Sequence, residues 1–175
     1  MKKILVLGGS GAGKSTLAKT LHKLLFIPIL HLDNIFWEKD WIRRDDSLFI
    51  KDLNEFMKQE SYILDGNHIV GDTLQLRIEE ADTIFFLNFN RFICLYGAFK
   101  RYLKYKSVTR DSMADGCNEK LDFGFVKWIL WDYPKRKRKI IIPIIKKEFK
   151  GNLYIFNTRR RLIDFLQELG AKKND

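Results

Sequence analysis

Between an apolar run, Ile4 to Leu7, and leucines at helical spacing, Leu17, Leu21, Leu24 and Leu25, lies Gly8-Gly9-Ser10-Gly11-Ala12-Gly13-Lys14-Ser15. The pattern is G-x-x-x-x-G-K-[S/T], with Thr16 after it. A buried strand, a glycine-rich turn and a helix must therefore follow one another within the first 25 residues. The glycines let successive backbone N–H groups turn inward, and the helix that begins there adds the positive end of its dipole. Such a concavity is built for a polyphosphate. Residues 9–16 are the expected cradle: Gly9, Ser10, Gly11, Ala12, Gly13, Lys14, Ser15 and Thr16. Lys14 would reach the β- and γ-phosphates, and the Ser15 hydroxyl would ligate Mg²⁺.

Apolar runs continue to alternate with helical patterns. Ile29 to Leu32, Tyr62 to Leu64, Thr83 to Leu87 and Leu153 to Phe156 read as strands, whereas Asp45 to Glu60, Arg91 to Tyr105 and Phe125 to Lys147 read as helices. Short apolar strands separated by helices predict an α/β fold, a five-stranded parallel sheet covered on both faces. At 175 residues the chain has room for one such domain. The stretch from Lys106 to Gly124 breaks the rhythm. It is polar and charged, and so long a loop in a compact domain reads as a mobile flap.

Composition narrows the classes. Hydrophobic residues make up 46% of the chain and charged residues 31%, which excludes disordered and collagen-like chains. No apolar run approaches the length of a membrane span, and Met1-Lys2-Lys3-Ile4 leads directly into a strand without an export signal. With only Cys94 and Cys117, both expected to be structural, a reducing cytoplasm is the expected compartment. The net charge of +10 favours polyanionic partners, nucleotides or nucleic acids, without choosing between them.

A phosphate cradle needs partners. Asp65 ends the apolar run Tyr62-Ile63-Leu64 and is the expected second metal-side residue beside Ser15, with a helix or turn cap as its alternative. Asp33 closes His31-Leu32-Asp33 at the carboxyl edge of the sheet, where it would take a proton from an attacking hydroxyl or else cap a helix near Asn34 to Trp37. Charge on a transferring phosphoryl group calls for arginine. Arg101 is the first candidate; Arg110, Arg136 and Arg138 follow, each open to the alternative of solvated surface. Pro134-Lys135-Arg136-Lys137-Arg138-Lys139 reads as part of a helical stretch, with a nucleic-acid patch as the alternative. His22, His31 and His68 lack ligand spacing, and His31 reads as a core residue. Trp37, Trp41, Trp128 and Trp131 suit either core or the wall of an acceptor pocket.

Taken together, the cradle, His31-Leu32-Asp33 with Trp37 and Trp41, Leu64-Asp65-Gly66-Asn67, Ala81-Asp82-Thr83-Ile84, Arg91 with Cys94, and Arg110 to Lys120 resemble the adenylate-kinase-related DNA topology modulation proteins. The resemblance spans nearly the whole chain, and the flap ending in Gly116-Cys117-Asn118-Glu119-Lys120 is its distinctive part. It implies a three-layer P-loop kinase fold over residues 1–175, ATP with Mg²⁺, and a lid at about 106–124 that closes over the phosphates. Lys14, Asp33 and Arg101 would then be catalytic. Two departures from adenylate kinase stand out. Asp65-Gly66-Asn67-His68-Ile69 lacks the arginine that holds an acceptor phosphate, and Gly97 stands where the first of a pair of lid arginines is expected, leaving Arg101 alone. Both favour a small hydroxyl-bearing acceptor, such as a nucleoside, over a nucleoside monophosphate. The family label carries a second reading, a nucleic-acid-associated regulator of DNA topology that uses ATP.

Overall fold

A computed structural model describes residues 1–106 and 109–174. Residues 107 and 108 of the expected flap, and residue 175, lie outside the described residues. Strand β1 (Lys3–Gly8) shows why the sheet is covered twice. Its side chains alternate, and both sets are apolar: Leu5 and Leu7 enter one core cluster, Ile4 and Val6 the other. In chain order there follow α1 (Lys14–Leu25), β2 (Ile29–His31), α2 (Leu32–Phe36), β3 (Trp37–Glu38), β4 (Ile42–Arg43) and α3 (Asp46–Met57). Next come β5 (Tyr62–Asp65), α4 (Thr73–Glu80), β6 (Thr83–Leu87) and α5 (Arg91–Tyr105). The chain ends with α6 (Phe123–Lys127), α7 (Tyr133–Arg136), α8 (Ile142–Glu148), β7 (Asn152–Phe156) and α9 (Arg159–Asn174).

Five strands form one parallel sheet in the order β2-β5-β1-β6-β7. On one face Leu17 and Leu21 of α1, Cys94 and Ala98 of α5 and Phe165 of α9 pack against Ile63 and Phe85. On the other, Phe49 and Leu53 of α3, Leu74 and Ile78 of α4 and Ile145 of α8 cover Leu64 and Phe86. The predicted α/β sandwich is thus present, with the cradle strand in the middle of the sheet.

Two expectations need correction. The second strand stops at His31, and Asp33 lies in the first turn of α2 rather than at a strand end. His31 pairs with Asp65, the last residue of β5, and its Nδ1–H donates to Asp65 Oδ2 at 2.7 Å; α2 begins at the next residue. The helix expected from Phe125 to Lys147 runs from Phe123 to Glu148 without a break at its basic residues, but it is not uniformly α. Residues Trp128–Asp132 and Lys137–Ile141 form π turns, each ahead of a proline. Pro134 and Pro143 have no N–H, and their rings crowd the carbonyl four residues back, so the turn before each widens to an i−5 bond. The carbonyl of Leu130, left without its helical donor, accepts instead from Arg91 Nη1 at 3.1 Å.

Candidate active site

The glycine-rich turn leaves β1 and enters α1 under tight constraint. Gly11 has φ +79°, and a Cβ there would lie 2.1 Å from the Cys94 carbonyl oxygen of α5. A side chain at Gly97 would meet the Gly11 carbonyl oxygen at the same 2.1 Å. Helix α5 therefore lies backbone to backbone against the turn, and this accounts for glycine at position 97, where a lid arginine was expected. The guanidinium of Arg159, from the start of α9, covers Gly97 instead. On the opposite side Asn67 pins the start of the turn, donating from Nδ2 to the Gly8 carbonyl at 2.5 Å and accepting the Gly8 N–H at 3.1 Å.

Two hollows flank this turn. One, of about 580 Å³, is lined by Ser10, Lys14, Ser15, Asp33, Asp65 and His68 on its floor, with aromatic walls from Phe36, Trp37, Trp41, Phe125 and Trp128. The other, of about 720 Å³, runs along residues 11–16 past Gly97, Lys100 and Lys104 to Arg159 and Leu162. Lys14, Ser15, Arg101 and Arg110 line both, so the hollows meet at three basic side chains and the hydroxyl of Ser15 in the first turn of α1. Of the predicted tryptophans, Trp131 is half exposed and does not reach the cavity. Arg138 is absent from both hollows and lines a third, with Tyr133 and Lys137.

Each predicted acid has a defined partner. Asp33 Oδ1 accepts from His68 Nε2–H at 2.6 Å, and the His68 ring stacks on Phe36 with centroids 3.9 Å apart. Burial pushes the Asp33 pKa up, but the His68 bond, with Lys14 and Arg110 nearby, outweighs it and sets the carboxyl to about 2. It is ionised at any working pH. The cap alternative for Asp33 fails, because His31 occupies the N-cap position of α2. Asp65 is the last residue of β5 and only 5% exposed; its Oδ2 takes the His31 bond, while Oδ1 is buried with no hydrogen-bond partner. A buried carboxylate oxygen without a donor is costly unless a cation or water completes it. With the Ser15 hydroxyl in the same cavity it makes an oxygen donor pair of the kind Mg²⁺ takes, one or two protein ligands with phosphates and water supplying the rest. Lys14 donates to the Gly9 carbonyl at 3.2 Å; burial lowers its pKa, and Asp65 and Asp33 oppose that shift.

The flap is not a solvated loop. Ser112, Met113, Cys117 and Glu119 are all buried, and the segment is docked on the β3–β4 ribbon. Trp41 Nε1 donates to the Asn118 carbonyl at 3.0 Å, Cys117 Sγ to the Glu38 carbonyl at 3.0 Å, and Asn34 Nδ2 to the Asp111 carbonyl at 3.2 Å. Glu119 receives both basic partners of the cradle, Arg101 Nε at 2.9 Å and Arg110 Nε at 2.5 Å. Burial lowers the Arg101 pKa, as does Arg110, while Glu119 raises it.

Sequence reasoning missed His68, Asn67 and Arg77. Arg77 is 1% exposed and donates to the Thr73 carbonyl at 2.9 Å, to that of Gly66 at 3.3 Å and to that of His68, which fixes the β5–α4 loop carrying Asn67 and His68. Proximity of residues 67 and 68 to the end of β5 was the one available signal; a lone arginine on α4 gives none.

The architecture matches solved kinases. A deoxyadenosine kinase from M. mycoides with bound dATP aligns over 100% of both chains at 13% identity, with a TM-score of 0.56. A shikimate kinase from Acinetobacter baumannii in complex with shikimate covers 100% of this chain and 96% of its own, at 16% identity and a TM-score of 0.54. A shikimate kinase from Bacteroides thetaiotaomicron gives 18% identity and 0.56 over 98% of each chain. The fold is that of small P-loop kinases. No family model matches the sequence, and no curated protein does. These likenesses concern the fold and leave DNA topology untouched.

Proposed function

We propose that the chain is an ATP-dependent phosphotransferase that moves the γ-phosphoryl group of ATP to a hydroxyl on a small molecule. The observation that carries this reading is the meeting of the two hollows at Lys14, Ser15, Arg101 and Arg110, with Asp33 on the floor of only one of them. A nucleotide lying along residues 11–16 and an acceptor seated between Phe36, Trp41 and Trp128 would face each other at those four side chains. The likeness of the fold to a deoxyadenosine kinase and to shikimate kinases supports the same division of labour.

In this reading the amides of residues 9–16 and Lys14 hold the β- and γ-phosphates, and Arg159 lies beside the nucleoside. Ser15 and Asp65 would hold Mg²⁺, which when bound neutralises charge on the phosphate oxygens. Asp33, oriented by His68, accepts the acceptor's hydroxyl hydrogen. The acceptor oxygen forms its bond to the γ-phosphorus as the bond to the bridging oxygen of ADP breaks, and the proton passes to Asp33. A carboxylate of so low a pKa takes that proton late, once bond formation has acidified the hydroxyl. Arg101 and Arg110 match the charge on the transferring group, and the flap at about 106–124 acts as the lid that excludes water.

The test is a screen of nucleosides and small hydroxy compounds with radiolabelled ATP and Mg²⁺, run with wild type and Asp33→Asn. Label should pass to at least one acceptor, and the substitution should lower kcat on the order of 10²- to 10⁴-fold while leaving the KM for ATP nearly unchanged. Transfer that survives Asp33→Asn at full rate contradicts the assignment of the base.

A further inference from the structure

Six cationic side chains line the 580 Å³ cavity: Lys14, Arg43, Arg101, Arg110, Lys120 and Arg136. Lys14, Arg101 and Arg110 also line the neighbouring hollow and have phosphate to attend to. Of the other three, Arg43 is engaged with Asp46 at 2.5 and 2.7 Å, and Lys120 sits over the Trp41 ring at 5.4 Å. Arg136 is different. Its guanidinium lies 5.7 Å from the centroid of Trp128, and its Nε is buried without a hydrogen-bond partner.

The cavity's own carboxylates do not answer it. Asp33 is bonded to His68 and Asp65 to His31, while Asp122 caps α6 by accepting the Phe125 N–H at 2.8 Å. Among the described residues no carboxylate pairs with Arg136. Burial without an anion also lowers its pKa, the direction expected of an uncompensated cation. Arg136 is partly buried, with its Nε shielded from solvent and unbonded, so part of its donor capacity stands open towards the cavity and is met when an oxyanion enters.

We infer that the phosphate acceptor is itself an anion, a hydroxyl compound bearing a carboxylate or a phosphate ester, and that Arg136 holds that oxyanion at the Trp128 wall while Asp33 faces the hydroxyl. This rests on the phosphotransfer reading and deepens it. The arginine missing after Asp65 is replaced from the other side of the cavity, by the helical segment that Pro134 and Pro143 distort on either side of Arg136. The planar fork fits either oxyanion, so the chemistry common to both is what the site selects.

The test measures binding of paired probes to the protein loaded with a non-hydrolysable ATP analogue and Mg²⁺: shikimate with its methyl ester, glycerate with glycerol, and dAMP with deoxyadenosine. An anionic member should bind on the order of 10- to 100-fold tighter than its neutral partner. Shikimate or glycerate alone would mark a carboxylate acceptor, and dAMP a phosphate ester. Arg136→Met, which keeps the apolar stem over Trp128, should erase the preference without weakening the ATP analogue and without lowering the unfolding midpoint; Arg136→Lys should keep part of it. The inference is overturned if no anionic probe binds, if each neutral member binds as well as its anion, or if the preference persists in Arg136→Met. The same probes with radiolabelled ATP separate the two readings. Arg136-dependent binding without transfer to any probe removes the kinase and keeps the anion site. Transfer to neutral alcohols, indifferent to Arg136→Met, does the reverse.

Discussion

Asp33 shows how one residue carries two kinds of consequence. Its pKa is about 2 in the folded chain against an ordinary value of 3.8, so the ionised form stabilises the fold. That contribution is complete above pH 3.8 and is lost as pH falls through about 2. Urea unfolding of wild type and Asp33→Asn at pH 6 and at pH 2.5 should therefore show the gap between them narrowing in acid; a constant gap would mean the His68 bond does not depend on the charge. Arg77 is a purely structural counterpart. Replacing it with Met removes donors from three backbone carbonyls, those of Thr73, Gly66 and His68, and should cost about 2–4 kcal/mol in urea unfolding. ATP affinity should fall with it, because the loop that carries Asn67 is what holds Gly8. Neither role was legible in the sequence: His68 lies 35 residues from Asp33, and Arg77 makes its bonds to backbone, which has no signature.

At the level of elements, periodicity carried the prediction well wherever a segment is covered on a known face. Helix α5 spans Arg91–Tyr105 as expected, because its buried stripe and its Asn90 cap, which accepts the Phe92 N–H at 2.9 Å, are both local. The end of β2 and the π turns were misread because neither the start of α2 at Leu32 nor the loss of two N–H donors to proline shows in apolar periodicity. Packing of α5 on the glycine-rich turn gives a sharp prediction. Gly97→Ala forces a Cβ onto the Gly11 carbonyl, an overpacking that should cost about 1–3 kcal/mol and weaken ATP binding at least as much as it weakens the fold. Unchanged ATP affinity in that variant would show that the turn tolerates displacement. The flap makes a second prediction through Glu119, whose buried carboxylate holds both arginines. Glu119→Gln should lower kcat on the order of tenfold with the KM for ATP little altered, because the arginines lose their alignment while the cradle stays intact.

For the molecule as a whole, the +10 charge is unevenly committed. The basic run once open to a nucleic-acid reading is divided among separate surroundings. Arg136 lines the 580 Å³ cavity, Lys137 donates to Asn88 Oδ1 at 2.8 Å, and Lys135, Arg138 and Lys139 are exposed. No helix of the described residues is long and apolar enough to cross a membrane. The regulator of DNA topology suggested by the flap motif would need those exposed lysines: duplex binding that falls steeply with salt and disappears in Lys135→Ala/Lys139→Ala would favour it, whereas the kinase reading expects phosphoryl transfer by that variant to equal wild type. The strands of the sheet and the glycine-rich turn between β1 and α1 were legible because each depends on residues adjacent in sequence. The aromatic-walled cavity was not, because its walls come from segments as distant as Phe36 and Arg136 that only the fold brings together. The most direct measurement of the central claim is a crystal structure with a non-hydrolysable ATP analogue and Mg²⁺. The account predicts the triphosphate wrapped by residues 9–16, the nucleoside beside Gly97 and Arg159, and the γ-phosphate at the junction facing Asp33. An empty turn with the analogue elsewhere, or a γ-phosphate directed away from the Asp33 cavity, would contradict it.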